Sequence, residues 1–214
     1  MKALAPSINF ASTKASARRR LIGCGIGLLS AGVALVSFRY LLGKGPVPDN
    51  IAANRFVDPW IVVHATSAAT TLLLGPIQFL RGVRQRWPAL HRLTGRLYVL
   101  GCLSAGVSAL VLAAGLSAGA IAALGFGALG TAWMVTTGIA VRHVLAGDIA
   151  SHERWMVRSF ALTFSAVTLR LYLPLSIGLG IDFLPAYRAI AWACWVPNLL
   201  IAEWYLGRQN RAAE

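Results

Sequence analysis

The 214 residues are 57% hydrophobic and only 13% charged, with a mean hydropathy of +0.65. A soluble domain carries about a quarter charged residues, so this composition excludes a soluble globular protein. The net charge of +13 would suggest nucleic-acid binding on a soluble fold, but the basic residues here lie between apolar runs, so we expect no nucleic-acid partner.

Six apolar runs predict six transmembrane helices, which we number as spans. About 20 apolar residues cross the ~30 Å hydrocarbon core of a bilayer. The predicted bounds are Leu21–Leu42 for span 1, Trp60–Leu80 for span 2, Leu93–Leu116 for span 3, Ile121–Val141 for span 4, Trp155–Leu179 for span 5 and Ala186–Leu206 for span 6. The predicted fold class is an all-α, polytopic membrane bundle over residues 21–206, with no soluble domain.

Polar segments flank and separate these spans. Residues 1–20 are basic and rich in Ser and Ala, which predicts a disordered cytoplasmic tail, and residues 207–214 predict a polar cytoplasmic tail. Prolines and polar residues make 43–59 a turn-rich linker. The segments 81–92 and 142–154 are predicted as polar connections outside the membrane.

The distribution of Lys and Arg predicts the orientation. If the N-terminus is inside, 15 of the 20 basic residues fall in inner segments, four fall in outer segments and Arg170 lies within a span. This asymmetry is typical of the positive-inside rule. We therefore expect both termini in the cytoplasm.

Small residues predict close helix packing in spans 3 to 5, because they let backbones approach one another. The glycines on which this expectation rests are Gly95, Gly101, Gly106, Gly125, Gly127 and Gly130. Cysteines lie in apolar runs at positions 24, 102 and 194, where packing is a better interpretation than a disulfide or a thiolate metal site.

Polar residues form one stripe on span 2 and another on span 5. Ionisable groups at membrane depth are costly, so each is a candidate functional residue. At 100° per residue, one face of span 2 holds His64, Thr71, Gly75 and Gln78. One face of span 5 holds His152, Ser159, Thr163, Ala166 and Arg170. We expect the two stripes to face each other.

Arg170 is the most informative of these residues, because an arginine cannot neutralise itself by losing a proton. Asp58 and Asp182 lie in outer loops and Glu203 lies near the inner end of span 6, so no carboxylate shares its depth. Its partner is expected to be a backbone carbonyl, an aromatic ring such as Tyr172, water or an anionic ligand. The alternative is that Arg170 snorkels outward and only fixes packing.

His64 is predicted to share the outer leaflet with Arg170. By helix geometry, His64 lies about 6 Å and Arg170 about 13 Å inside the outer boundary. A ligand role for His64 competes with a structural hydrogen bond across the bundle.

A second polar cluster is predicted at the inner boundary, and its members are His91, Arg92, Arg96, His152 and Arg158. Such residues could form a binding site. Arginine and histidine at inner helix ends also bind anionic lipid head groups, and this simpler interpretation is sufficient.

Three motif fragments together resemble a family of bacterial membrane proteins, domain of unknown function 2306. They are His64…Gly75-x-x-Gln78, His91-Arg92-x-x-Gly95-Arg96-x-Tyr98 and His152-x-x-Trp155-Met156-x-Arg158 with Arg170 in the same span. The resemblance covers about residues 60–174, so spans 1 and 6 are expected to be flanking additions. It implies the bacterial cytoplasmic (inner) membrane and no particular reaction.

The sequence leaves several functions open. The first is binding or transport of a small anionic or polar ligand inside the bundle, at a site made of His64, Gln78, Ser159, Thr163 and Arg170. The alternative is an electron-transfer protein with a quinone or a b-type haem, whose ligands would be His91 and His152. Two further alternatives are a lipid-modifying enzyme and a non-catalytic protein with an assembly or sensory role. No other metal site is expected, and the oligomeric state is open.

Overall fold

The structure is a computed structural model that describes residues 10–43 and 48–211. The described part is helical and contains no strand. Six of its helical segments are long and apolar enough to cross a membrane, as the sequence predicts. These spans are Arg20–Tyr40, Val57–Gln78, Pro88–Ala114, Ala120–Leu145, Ile149–Gly178 and Phe183–Gln209.

Several helices extend beyond their predicted bounds. The first helix, Phe10–Ser37, begins ten residues before the predicted end of the disordered tail, and residues 1–9 lie outside the described part. Span 5 begins at Ile149, within the predicted polar connection. The physical reason is that polar residues can continue a helix beyond the hydrocarbon core, so hydropathy marks the membrane and not the helix end.

Short helices occupy the connections between spans. A 3₁₀ turn, Phe38–Tyr40, ends span 1, and Asp49–Ala52 forms one turn in the linker that the sequence predicts to be turn-rich. Arg81–Arg86 is a short helix where a turn is predicted. Span 3 then begins with Pro88 at its first turn, a position where proline's missing N–H costs no hydrogen bond.

Spans 5 and 6 each consist of two helices. The hydropathy pattern predicts neither of these two interruptions. Their halves are Ile149–Thr163 and Ser165–Gly178 in span 5, and Phe183–Ala193 and Val196–Arg211 in span 6. The interruptions lie side by side, because Thr168 Oγ1 donates to the Cys194 carbonyl at 2.6 Å. Asn198 Nδ2 also donates to the Cys194 carbonyl, at 3.1 Å. Side chains thus satisfy a carbonyl at the break.

The predicted close packing is present at several glycines. A Cβ built on Gly101 of span 3 would lie 2.6 Å from Thr71 Cγ2 of span 2. Gly106 and Gly130 bring spans 3 and 4 together, since a Cβ on either would lie within 3.6 Å of the other's carbonyl oxygen. Gly127, by contrast, has open space around it.

Spans 2 to 5 form the core, and the most extensive contacts join span 2 to span 3 and span 4 to span 5. Span 1 lies at the side of this core, against span 2 and the second half of span 5. We call the end where residues 79–87 and 146–148 connect spans the basic end. The other end, where residues 41–56, 115–119 and 179–182 connect spans, is the opposite end.

Candidate functional site

A cavity of about 220 Å³ lies inside the half of the bundle nearer the opposite end. This is the volume that about seven molecules occupy in liquid water. It is enough for a small ligand or for part of a larger one. Both His64 and Arg170 line it, so the structure brings the two main candidates to one site. The rest of the lining is mostly apolar, and none of the lining residues is Asp or Glu.

Arg170 bonds to two neutral groups. Its Nη1 donates to the Ala166 carbonyl at 3.0 Å, and its Nη2 donates to Ser37 Oγ of span 1 at 2.9 Å. Ala166 lies one helical turn closer to the basic end, so the guanidinium points back along span 5 towards that end. A backbone carbonyl is among the partners that the sequence predicts, whereas Ser37 is not.

His64 bonds across the bundle to span 3. Its Nδ1 lies 3.0 Å from the Ala105 carbonyl oxygen. A carbonyl only accepts, so Nδ1 carries the proton and the lone pair of a neutral ring is on Nε2. His64 also lies close enough to Arg170 for the two to interact electrostatically. The structural hydrogen bond therefore exists and still leaves Nε2 for a ligand.

A network of buried hydroxyl groups lies at the side of the cavity nearer the basic end. The Tyr98 hydroxyl lies 2.7 Å from Thr163 Oγ1 and 3.0 Å from Ser159 Oγ. Trp133 Nε1 donates to Thr163 Oγ1 at 2.9 Å, and Thr137 Oγ1 lies 2.8 Å from Ser159 Oγ. Thr163 and Trp133 also line the cavity, so this network forms its polar floor.

Only part of this network has a fixed donor. Trp133 N–H can only donate, so Thr163 Oγ1 accepts from it at 2.9 Å. The Thr163 and Thr137 hydroxyl groups also contact main-chain carbonyls, that of Ser159 at 3.0 Å and that of Trp133 at 2.8 Å. In the contacts between hydroxyl groups either oxygen can be the donor. Trp133 and Thr137 are absent from the sequence prediction. The sequence feature that could have indicated this network is Trp133 in the middle of span 4, because a buried indole N–H needs a hydrogen-bond partner.

Gln78 and Ser159 are not part of the cavity lining. Gln78 Nε2 donates to Thr94 Oγ1 at 2.7 Å, near the basic end of span 2. It lies about 21 Å along the helix from His64, too far to share a small ligand. Of the five predicted binding residues, His64, Thr163 and Arg170 line the cavity, Ser159 supports its floor and Gln78 lies elsewhere.

The cluster predicted at the inner boundary lies at the basic end, where two of its members have clear partners. Arg158 donates to both carboxylate oxygens of Glu203, at 2.5 and 2.8 Å, and lies 4.5 Å from the centroid of the Trp155 ring. His152 Nδ1 lies 2.9 Å from the Ala140 carbonyl oxygen. Arg158 is thus neutralised by span 6.

The other members of this cluster do not converge on one site. Arg92 and Arg96 are exposed. His91 lies near His152, and its Nδ1 is buried without a hydrogen-bond partner among the described residues. No three His, Cys, Asp or Glu side chains in the described ranges are placed to hold a metal ion. Neighbouring Arg84 and Glu153 form an ion pair.

Comparison with known proteins identifies the family. The family described as predicted membrane protein DUF2306 matches residues 61–206, and the chain belongs to it. The match includes span 6, beyond the extent of about residues 60–174 that the motifs indicate, whereas span 1 lies before it. Neither the curated proteins nor the solved structures contain a match.

Proposed function

We propose that this DUF2306 membrane protein binds a small anionic or polar ligand within its bundle, in a transport or binding role. The observation that carries the proposal is that His64 and Arg170 line one cavity that contains no carboxylate. A buried or partly buried cation without a counter-ion is costly, and an anion in the cavity would offset that cost.

Arg170 has donors to spare for such a ligand. A guanidinium carries five N–H groups, and the contacts to Ala166 and Ser37 use one nitrogen each. The described part of the chain contains two ion pairs, Arg84–Glu153 and Arg158–Glu203, and a His143–Asp148 contact, and all three lie towards the basic end. Arg170 therefore has no competing carboxylate among the described residues.

His64 and the floor add selectivity to the proposed site. The lone pair of His64 Nε2 can accept a hydrogen bond from a hydroxyl or a protonated oxygen of the ligand. Thr163 lies at the floor with its hydroxyl group bonded to Trp133 and the Ser159 carbonyl, and apolar side chains cover the remaining surface. This combination of one cation, a few polar atoms and an apolar wall is typical of small-molecule sites.

Haem binding has weaker support. The two histidines proposed as axial ligands, His91 and His152, lie near each other at the basic end. The Nδ1 contact of His152 to a carbonyl is the arrangement common in metal-binding histidines. The cavity, however, is lined by neither histidine.

Thermal unfolding in lipid nanodiscs tests the ligand proposal. A panel of phosphate, sulfate and small carboxylates is added to the wild type, to Arg170→Gln and to the control Arg81→Gln, whose arginine is exposed at the basic end. At 100 times its Kd, a ligand should raise the Tm of the wild type and the control by about 5 °C or more. A rise of the same size in Arg170→Gln would contradict the proposal.

We also propose that both termini face the cytoplasm of a bacterium, with basic-end arginines such as Arg92 and Arg96 near anionic lipid head groups. The 15-to-four distribution of basic residues supports this orientation. Reporter fusions at the C-terminus and within 179–182 test it. The C-terminal fusion should report a cytoplasmic location and the loop fusion an external one, and the reverse result would contradict the orientation.

A further inference from the structure

We propose that the ligand is an anionic amphiphile from the bilayer, which enters the cavity sideways between span 1 and span 5. This inference rests on the ligand site proposed above and names its chemical class. It starts from Arg170, which lines the cavity and is also exposed at the surface of the bundle. The cavity therefore reaches the surface of the bundle at Arg170, where the hydrogen bond to Ser37 joins span 5 to span 1 and has to open for a ligand to enter.

The opening lies at membrane depth. Ala166 and Arg170 are about 18 and 12 Å along the helix from the last residue of span 5, so we expect the guanidinium to lie at membrane depth. The neighbouring Leu171 is 51% exposed and Leu175 is 58% exposed, as expected for a surface that contacts lipid chains. A ligand that uses this opening must therefore be soluble in the bilayer.

The linker before span 2 covers the cavity on the side of the opposite end. Asn54 lines the cavity, and its Nδ2 donates to the Leu112 carbonyl of span 3 at 2.7 Å. Arg55 N–H donates to the Gly115 carbonyl at 3.0 Å. A Cβ on Gly115 would lie 2.5 Å from Asn54 Oδ1, so the linker is packed tightly on the end of span 3. These contacts oppose entry from the water at that end.

The floor covers the cavity on the other side. Thr163 and Trp133 are 3% and 6% exposed and are hydrogen-bonded to each other. With Tyr98 and Ser159, both fully buried, they fill the bundle between the cavity and the basic end. Lateral entry is therefore the route that the described residues leave open.

Charge and surface define the ligand. Arg170 would bind an anionic head group, and Arg39 on span 1 lies near enough to interact with Arg170 electrostatically, which adds positive potential. The apolar wall, which includes Leu72, Ala113 and Leu129, suits an alkyl chain. At about 220 Å³ the cavity holds the head group and the first part of a chain, while the rest of the chain lies in the bilayer.

The test compares ligands with and without a chain. Nanodiscs of zwitterionic lipid carry the wild type, Arg170→Gln, the control Arg81→Gln, or a variant that fills the apolar part of the cavity, Ala113→Leu or Ala65→Leu. The probes are inorganic phosphate, dodecyl phosphate and dodecanoate. Binding is measured calorimetrically after subtraction of uptake by empty nanodiscs, and each variant must be monodisperse.

The wild type and Arg81→Gln should bind an alkyl-chain probe at least about tenfold more tightly than phosphate, because chain methylenes enter the cavity. The filled variants should lose this advantage and keep phosphate binding, while Arg170→Gln should lose both. Equal binding of phosphate and the alkyl probes by the wild type would contradict the proposal of an amphiphilic ligand but not the proposal of an anion site at Arg170. Absence of binding of all three probes to the wild type would overturn both.

Discussion

Tyr98 holds the buried hydroxyl network together, because its single hydroxyl group contacts two side chains of span 5. Tyr98 itself is fully buried. In an apolar environment each hydroxyl that loses its partner costs free energy, since no water replaces the bond. The tyrosine hydroxyl is therefore expected to stabilise the contact between spans 3 and 5.

Tyr98→Phe should lower the free energy of unfolding by about 1–2 kcal/mol, because Ser159 and Thr163 each lose a hydrogen-bond partner. Unfolding in a detergent titration measures the change. The matched control is Tyr205→Phe, where the tyrosine is 48% exposed, and it should change stability little. Equal effects of the two substitutions would show that the network contributes nothing specific.

At the scale of elements, the contact between spans 2 and 3 depends on the absence of a side chain at Gly101. An added Cβ would meet Thr71 Cγ2 at 2.6 Å and the Ser67 carbonyl oxygen at 3.2 Å. The first contact is shorter than real Cβ contacts, and the second is with backbone that cannot rotate away. The two helices would have to move apart.

Gly101→Ala is therefore expected to destabilise the protein by about 1–3 kcal/mol. Gly127→Ala provides the control, because nothing lies within 4 Å of its added Cβ. Alanine favours helix over glycine, so the control should be neutral or slightly stabilising. Thermal unfolding of both variants in the same detergent checks this, and destabilisation of both by the same amount would contradict the packing argument.

The first half of span 5 begins at a charged N-cap outside the membrane. Asp148 Oδ1 accepts a hydrogen bond from the Ser151 N–H at 3.0 Å, and Oδ2 lies 3.2 Å from His143 Nδ1. Hydrogen bonds from Ser151, together with the nearby His143, lower the pKa of the Asp148 carboxyl below its usual value. Folding therefore favours the ionised form.

This shift gives a pH-dependent contribution to stability. It is fully present above the unfolded-state pKa of ~3.9 and is lost as the pH falls through the lower folded-state pKa. Asp148→Asn should thus lower Tm at pH 6, and the difference from the wild type should shrink at pH 3.5. Asp182→Asn is the control, since Asp182 precedes span 6 without a side-chain cap bond. A Tm difference between Asp148→Asn and the wild type that grows towards low pH would contradict the predicted direction of the pH dependence.

For the whole molecule, the number and order of the spans were predictable because a ~30 Å apolar core demands long apolar runs. The interruptions in spans 5 and 6 were not. Phe164 is flanked by Thr163 and Ser165, which also occur inside helices, whereas Pro197 lies in the first turn after the break in span 6. The stabilising bonds come from Thr168 and Asn198 across the interface. Hydropathy carries no information on such pairings.

The candidate site was predictable in part, and for a similar reason. Periodicity identifies one face of a helix, which placed His64 and Arg170 towards the interior. It does not give the partner of a side chain or its direction along the helix. Ser37 as the partner of Arg170 and Thr94 as the partner of Gln78 follow only from the packing of span 1 and span 3.

The central claim is that an anionic ligand binds between His64 and Arg170, and direct observation of the cavity tests it best. An experimental structure in nanodiscs with dodecyl phosphate or dodecanoate should show density in the cavity, with an oxygen within about 2.7–2.9 Å of an Arg170 guanidinium nitrogen. A cavity without such density, with Arg170 still bonded only to Ser37 and Ala166, would contradict the account.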